Sequence, residues 1–354
     1  MTAGSADWFR ATGSALVGCA RLSDYDGVDQ LFEPALAMAA LPGAESAQLI
    51  CLCRGAFQLI FNGRFARADQ VLARIAELAA IDGTRIDALT RAQVEHVQGV
   101  RAAHIGDVGT FLRHLEAAVA AFERAGDLRN VSLERTTVAW CQAELGDSAR
   151  AEQLCRANLD ACRALRAQQA VTYARVNLGF ILNLRPGLLA EAEAELRGAI
   201  DECRAVGNQR LEGWATAHLA ATARLAGSHE ASHEHAAAAA KLLATSPGLL
   251  AWARASQARA LVSLGRASEA LPLARAAVAT LDALGGLLQG ESLPPLALAE
   301  ALAGVGDPDG ARAAIADAVA RLDRRTARLD PRWHASFRGL PDNLATVAAH
   351  VAMT

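Results

Sequence analysis

The sequence predicts an all-α protein built as a solenoid of helical hairpins, and two observations lead to that prediction. The first is composition: of 354 residues, 52% are hydrophobic but only 5% are aromatic, alanine supplies about a quarter, and proline occurs 10 times. Abundant alanine, leucine, arginine and glutamate favour helices over strands. The second observation is an internal period of about 40 residues, which is typical of stacked helical repeats.

A glycine marks each period. Seven such glycines follow one another at intervals of 38 to 43 residues. A glycine that ends one helix and lets the chain reverse predicts a hairpin of two helices. In Gly146-Asp147-Ser148 and Gly306-Asp307-Pro308, the aspartate is expected to cap the helix that follows. The seven glycines are Gly63, Gly106, Gly146, Gly187, Gly227, Gly265 and Gly306.

Small residues recur at fixed distances from these glycines, mostly as alanine or glycine. Small side chains seven residues before and five residues after the turn allow two antiparallel helices to approach closely. A small residue twelve positions after the turn receives the next hairpin. The residues seven before are Ala56, Gly99, Ala139, Phe180, Ala220, Ala258 and Ala299. Those five after are Ala68, Phe111, Ala151, Ala192, Ser232, Ala270 and Ala311, and those twelve after are Ile75, Ala118, Asn158, Ala199, Ala239, Ala277 and Ala318.

The same period predicts where the array begins and ends. An earlier turn is expected near Ser23-Asp24-Tyr25-Asp26, 40 residues before Gly63, which brings the total to about eight hairpins. We expect the array to occupy residues 1–340 and a capping helix, starting at about Asp342, to occupy residues 341–354.

The framework of small residues around a glycine turn resembles the tetratricopeptide repeat, in a long form of about 40 residues rather than 34. Leucine or alanine often replaces the aromatic residues of that repeat. The resemblance implies that the hairpins stack into a right-handed superhelix, in which the first helix of each hairpin lines a concave face.

Several short motifs are similar to a more particular family. They resemble the C-terminal repeat region of large bacterial serine/threonine kinases that combine a kinase, an ATPase module and a repeat array. The resemblance implies a sensory or docking part without catalytic domains. Ala345 stands where that family would have an arginine. The motifs are Ala125-Gly126-Asp127-Leu128-Arg129-Asn130, Asn177-Leu178-Gly179, Leu284-Gly285-Gly286 with Gly290-Glu291, Trp333-His334-Ala335-Ser336-Phe337 and Leu340-Pro341-Asp342-Asn343.

Charge excludes two classes of function. The net charge of −3 and the isoelectric point near 6.3 lack the basic footprint of a nucleic-acid-binding protein. Lys241 is the only lysine, and no glycine-rich loop precedes it. A P-loop or a protein kinase needs a lysine at the nucleotide phosphates. We therefore expect neither kind of nucleotide site, and no cofactor.

The cysteines indicate a reducing compartment. Their number, seven, is odd, no Cys-x-x-Cys occurs, and most lie in apolar helical stretches. We expect reduced thiols that pack as small hydrophobic side chains in a cytoplasmic protein. No window of the sequence approaches the roughly 18 apolar residues of a transmembrane helix, so no membrane contact is expected.

The candidate site is a partner-binding groove. By register, the first helices contribute arginine, asparagine, histidine and tryptophan side chains to the concave face. Arginine and tryptophan are common anchors of protein interfaces, and this mixture suits a peptide or helix that carries acidic and apolar groups. We therefore expect a non-catalytic interaction or scaffold module. The carboxylate clamp of some chaperone-binding repeats needs lysines, so we do not expect that clamp here. The predicted groove residues are Arg54, His96, Arg135, Trp140, Asn177, Trp214, His218, Arg224 and Arg259.

Two alternatives remain open at this level. His229-Glu230-Ala231-Ser232-His233 is a literal His-Glu-x-x-His, which on a helix holds zinc in metal-dependent hydrolases. A solvated helix start is the stronger interpretation, because His229 follows a turn glycine closely and no third ligand is evident. We therefore expect neither a metal nor an enzyme. A small-molecule sensor, in which the groove closes around an effector, is the other alternative.

Overall fold

The computed structural model describes residues 1–22, 24–80 and 86–353, and in these ranges it contains helices and turns but no strand. A 3₁₀ turn spans Pro331–Trp333. The helices are α1 Ala6–Arg21, α2 Tyr25–Ala37, α3 Glu45–Phe61, α4 Phe65–Ala79, α5 Ala88–His104, α6 Val108–Ala125, α7 Leu128–Glu144, α8 Ser148–Ala164, α9 Gln168–Asn183, α10 Leu189–Val206, α11 Gln209–Leu225, α12 His229–Leu242, α13 Pro247–Ser263, α14 Ala267–Leu284, α15 Leu293–Gly304, α16 Pro308–Arg328, α17 His334–Arg338 and α18 Pro341–Met353.

The chain forms two compact units. Unit 1 comprises Met1–Ala102 and Thr110–Glu134, and unit 2 comprises Ala103–Gly109 and Arg135–Thr354. Within unit 2, the second helix of a hairpin packs against the first helix of the next, as α10 does on α11 and α12 on α13. First helices also contact one another, as α11 does with α9 and α13. The division of the chain at residue 341 stays a prediction.

All seven predicted turns are confirmed. Each turn glycine has a positive φ, between 73° and 90°, which glycine adopts without the steric cost that a Cβ brings. Asp147 and Asp307 cap the following helices, because their carboxylates accept hydrogen bonds from the backbone N–H groups of Arg150 and Gly310. The earlier turn also lies where the period places it, since Asp24 caps α2, although Ser23 lies outside the described residues.

The small-residue positions are buried, as the spacing predicts. Every residue seven before, five after or twelve after a turn glycine is buried in the structure. The alanines among them expose 1% of their surface or less. At the positions that hold alanine or glycine, a larger side chain would have to displace a neighbouring helix. Ile75, Phe111, Asn158 and Phe180 are the larger residues among the 21 positions.

One hairpin reverses the usual choice of residues. In the α5–α6 hairpin, Phe111 occupies the position five after the turn, and Gly99 occupies the position seven before it. A Cβ built on Gly99 would lie 3.0 Å from the Phe111 ring and 2.9 Å from Cβ of His114. The absent side chain of Gly99 therefore makes room for the large side chain of Phe111.

Six of the seven cysteines are buried, Cys19 is half-buried, and all seven are free. Burial raises the pKa of Cys51 to about 12, so this thiol stays protonated and inert. None of the helices in the described ranges is both long and apolar enough to cross a membrane.

The close approach at Gly99 predicts an asymmetric response to alanine. We expect Gly99→Ala to lower the free energy of unfolding by about 1–3 kcal/mol, because the new Cβ overpacks the helix contact. Gly18, which is exposed on α1, is the matched control, since no described atom lies within 4 Å of a Cβ built there. Gly18→Ala should stabilise the protein by about 0.5–1 kcal/mol, because alanine loses less backbone entropy in a helix. Urea titration of both variants measures the difference, and an equal effect would contradict the packing described here.

Candidate binding face

Aromatic rings from successive first helices of unit 2 form a continuous row, called here the aromatic row. The ring centroids of Trp140 on α7 and Phe180 on α9 are 6.5 Å apart, and those of Phe180 and His218 on α11 are 5.0 Å apart. His218 also contacts Trp252 on α13, at 4.9 Å. The row comprises Trp140, Tyr173, Phe180, Trp214, His218 and Trp252.

His218 lies at the centre of the row. Its residue surface is 1% exposed, and burial lowers the pKa of the imidazole to about 3, so the ring is neutral at physiological pH. Within the part of the chain that the structure describes, its Nε2 atom has no hydrogen-bond partner. Asn183 holds the backbone here by donating its side-chain N–H to the His218 carbonyl. The ring thus presents a buried polar atom to its aromatic neighbours.

Asn177, on α9, is a second buried polar group with spare hydrogen-bonding capacity. The residue is fully buried, and its side-chain N–H donates to the Tyr173 carbonyl at 2.8 Å. Its Oδ1 atom has no partner among the described residues. A buried acceptor without a donor is costly, so a donor supplied by a ligand would be stabilising here.

The loop between α14 and α15, residues 285–292, covers part of the row. Trp214 donates its indole N–H to Oε1 of Gln289 at 3.1 Å, and both residues are buried. A Cβ on Gly290 would lie 2.7 Å from the Trp252 ring, so only glycine lets the loop lie this close. On its other side the loop reaches Ile105, whose backbone is 2.9 Å from a Cβ built on Gly286. Trp214 and Trp252 are therefore shielded from solvent by the chain itself.

Two arginines lie near the C-terminal ends of their first helices. Arg224 on α11 and Arg259 on α13 both donate to the same oxygen, Oδ1 of Asp342, at 3.3 and 3.1 Å. Arg259 also forms a two-pronged pair with Glu300 on α15, at 2.8 and 2.9 Å. These carboxylates raise the pKa of Arg259 although burial opposes the charge. The pair is thus a site for carboxylates, filled by Asp342 and Glu300 of the same chain.

A further carboxyl group faces this cluster. Burial raises the pKa of Glu144, at the end of α7, to about 7; Arg325 lowers this pKa and Asp342 raises it. Glu144 is thus partly protonated near neutral pH.

The other predicted groove residues belong to neither the aromatic row nor the arginine pair. Arg135 on α7 is exposed. In unit 1, Arg54 is exposed, whereas His96 stacks on Phe57 with ring centroids 5.5 Å apart. The His96 ring also lies 2.8 Å from the Glu134 carboxylate, and its pKa is raised because the attraction of Glu134 outweighs burial, which lowers it. The structure therefore brings together Trp140, Trp214 and His218 through the row, and Arg224 with Arg259 through Asp342.

The His-Glu-x-x-His segment does not gain a third ligand. His229 begins α12 and His233 follows one turn later, with Ser232 between them buried at its small-residue position. The Nδ1 atoms of both histidines lack hydrogen-bond partners in residues 1–22, 24–80 and 86–353. In the described part of the chain, however, no three histidine, cysteine, aspartate or glutamate side chains are grouped so that they could hold a metal ion.

Sequence reasoning assigned Phe180 to helix packing alone and missed further contributors to this face. Trp252 follows Trp214 by 38 residues and Tyr173 precedes it by 41, so the hairpin period itself could have identified both. Gln289 and Asp342 have no such signal, because they come from a loop and a terminal helix that the period does not position.

Comparison with known proteins gave matches by fold alone. No protein family matches the sequence, and no curated protein matches it. The fold is similar to that of a Rap protein crystallised in complex with competence and sporulation factor, with a TM-score of 0.65 at 11% identity over 99% of this chain and 100% of that one. It is also similar to NprR in complex with its cognate peptide NprX, with a TM-score of 0.62 at 9% identity over 97% of this chain and 96% of NprR. The apo form of the quorum sensor NprR from B. thuringiensis gives a TM-score of 0.54 at 10% identity over 98% and 97% of the two chains.

These similarities and the hairpins confirm the predicted fold class. The protein is an all-α helical-repeat solenoid of tetratricopeptide-like architecture. At such low identities the comparison establishes the fold, and the function has to be argued from the binding face.

The buried state of His218 predicts a specific dependence of stability on pH. The pKa of this histidine rises from about 3 in the folded protein to about 6.5 in the unfolded chain, so the unfolded chain binds the extra proton below pH 6.5. Protonation of His218 in the unfolded chain leaves the free energy of unfolding unchanged above pH 6.5 and lowers it as the pH falls towards 3. Between pH 7 and pH 5 we expect this histidine to lower the free energy of unfolding by about 2 kcal/mol. We expect His218→Gln to lose less stability over that interval than the wild type in urea titrations; parallel losses would contradict the assignment.

Proposed function

We propose that this protein is a non-catalytic regulatory module that binds a partner protein through a peptide or helix held on the first helices of unit 2. The observation that carries the proposal is the combination, on one set of helices, of a continuous aromatic row with buried polar atoms that lack partners. Aromatic rings supply contact area for apolar side chains. The Oδ1 atom of Asn177 is an acceptor that an N–H group of a peptide would satisfy. The Nε2 atom of His218 donates or accepts according to the tautomer of the ring, so a peptide N–H or C=O group would satisfy it.

The structural neighbours support this proposal. A Rap protein was crystallised with competence and sporulation factor, and NprR with its cognate peptide NprX. Both neighbours share the fold with this chain over at least 96% of the length of each. A peptide ligand suits the chemistry of the aromatic row, so we propose that the present chain also binds a peptide.

The proposal includes a place in signalling. The short motifs that resemble the repeat region of large bacterial serine/threonine kinases favour a role next to a kinase or an ATPase. This chain would then supply recognition, and its partner would supply catalysis. We expect the chain to co-purify with such an enzyme from its source organism.

Binding on the aromatic row requires the chain to rearrange. Gln289 occupies the indole N–H of Trp214, and Gly290 lies against Trp252. A ligand that contacts these rings has to displace the loop of residues 285–292. The loop contains glycine at positions 285, 286 and 290, so its backbone can adopt alternative conformations at low steric cost.

Panning a library of short displayed peptides against the full chain tests the proposal. We expect enriched peptides whose affinity, measured by fluorescence polarisation, falls about tenfold or more in Asn177→Ala, because that variant loses a buried polar contact. Arg135→Ala, on the exposed part of α7, should weaken binding without disturbing the fold.

Arg197→Ala is the matched control, since Arg197 is an exposed arginine of α10 whose pair, Glu193, is on its own helix. Thermal melting checks that each variant is folded. The proposal fails if no peptide is enriched, or if the enriched peptides bind Asn177→Ala, Arg135→Ala and Arg197→Ala with the same affinity as the wild type.

A further inference from the structure

Arg204 and Glu212 join the adjacent helices α10 and α11 across one turn. Five other ion pairs between hairpins follow the repeat, because their partners lie on neighbouring hairpins at a sequence separation close to one period, from 32 to 41 residues. These pairs are Arg67–Glu33, Arg101–Asp69, Arg156–Glu191, Arg259–Glu300 and Arg321–Asp282.

Asp342 does not follow this rule. It lies 83 residues from Arg259 and 118 residues from Arg224, and it joins two first helices that already belong to the stack. Among the described contacts, Asp342 is the only ion-pair partner of Arg224. The Asp342 side chain remains 30% exposed, whereas that of Arg259 is 11% exposed. The carboxylate is therefore accessible to exchange from solvent.

The terminal helix has other means of attachment. Ala345, Ala349 and Met353 of α18 pack against an apolar cluster that includes Leu296 and Ile315. The adjacent Asn343 accepts a hydrogen bond from the Ser292 hydroxyl and donates to the Phe337 carbonyl. The contact of Asp342 with the arginines is therefore separable from the packing of α18.

Asp342 is attracted by some of the charged groups around it and repelled by another. The two guanidinium groups of Arg224 and Arg259 attract it, but the Glu144 carboxyl faces it, and Asp342 raises the pKa of Glu144. If Asp342 leaves, two arginines remain beside one close carboxylate, that of Glu300. The vacated position is then a partly buried site of positive charge that favours an anionic side chain.

We propose that Arg224 and Arg259 recognise a carboxylate of the partner, and that Asp342 is the internal carboxylate that occupies this position until the partner displaces it. The inference rests on the proposed function and adds the chemistry of the partner. Since α18 supplies its aspartate from its first turn and then small apolar residues, the partner segment is a helix with an acidic residue at its start and an apolar face behind it.

The test uses a peptide of this chain as the acidic partner. A fluorescein-labelled peptide of residues 334–353 is titrated into the full-length chain, as the wild type and as Asp342→Asn. The neutral substitution frees the arginine pair, so we expect the peptide to bind Asp342→Asn about tenfold more tightly than the wild type. A second peptide, in which the same aspartate is replaced by asparagine, should lose most of that gain.

Two further variants complete the experiment. Asp309→Asn is the matched control, because Asp309 is also an aspartate in the first turn of a helix but pairs only with Arg312 on the same helix; it should bind as the wild type does. Arg224→Ala combined with Arg259→Ala should abolish the preference for the acidic peptide.

Equal affinity of the wild type and Asp342→Asn for the acidic peptide, or equal affinity of Asp342→Asn for the two peptides, would overturn the inference. Library peptides that still require Asn177 in that case would leave the proposed function standing.

Discussion

Close contact between helices is the constraint on which the rest of this structure depends. A hairpin of two helices can stack on its neighbours only if the facing side chains are small, and the buried alanines at matched positions provide that space. The contact between Gly99 and Phe111 demonstrates the same constraint, because a large ring on one helix is accommodated by the absence of a side chain on the other. Because interiors are close-packed, an added methylene at such a contact has to move a helix.

The same constraint explains why chemistry is concentrated on the first helices of unit 2. Alanine fills the contacts within and between hairpins, so large and polar side chains are left to the remaining faces. There the period aligns rings from α7, α9, α11 and α13 into one row, and it places Arg224 and Arg259 close enough to share a carboxylate oxygen. Segments outside the period, namely the loop of residues 285–292 and the start of α18, then lie on this face. The first helices of the regular repeat are therefore partly covered by two irregular segments of the same chain.

The repeat could be predicted from sequence because its determinants are local. A glycine with positive φ and small residues at fixed distances encode the turn and the helix contact within about 20 residues, and all seven turns follow that pattern. The tryptophan and histidine of α11 were identified by the same register. The period does not encode the contacts that close over the site. Gln289 meets Trp214 across 75 residues, and Asp342 meets Arg224 across 118, so no local pattern specifies either contact. Burial of Trp214 beneath the loop was missed for the same reason.

A comparison of two alanines measures the central constraint directly. Ala258 on α13 is fully buried at the position seven before a turn glycine, and Ala238 on α12 is exposed. Both lie within helices, so replacement by leucine changes helix propensity equally. The account predicts that Ala258→Leu lowers the free energy of unfolding by about 1–3 kcal/mol and that Ala238→Leu changes it by less than about 0.5 kcal/mol. Equal free energies of unfolding for the two variants in urea titration would contradict it.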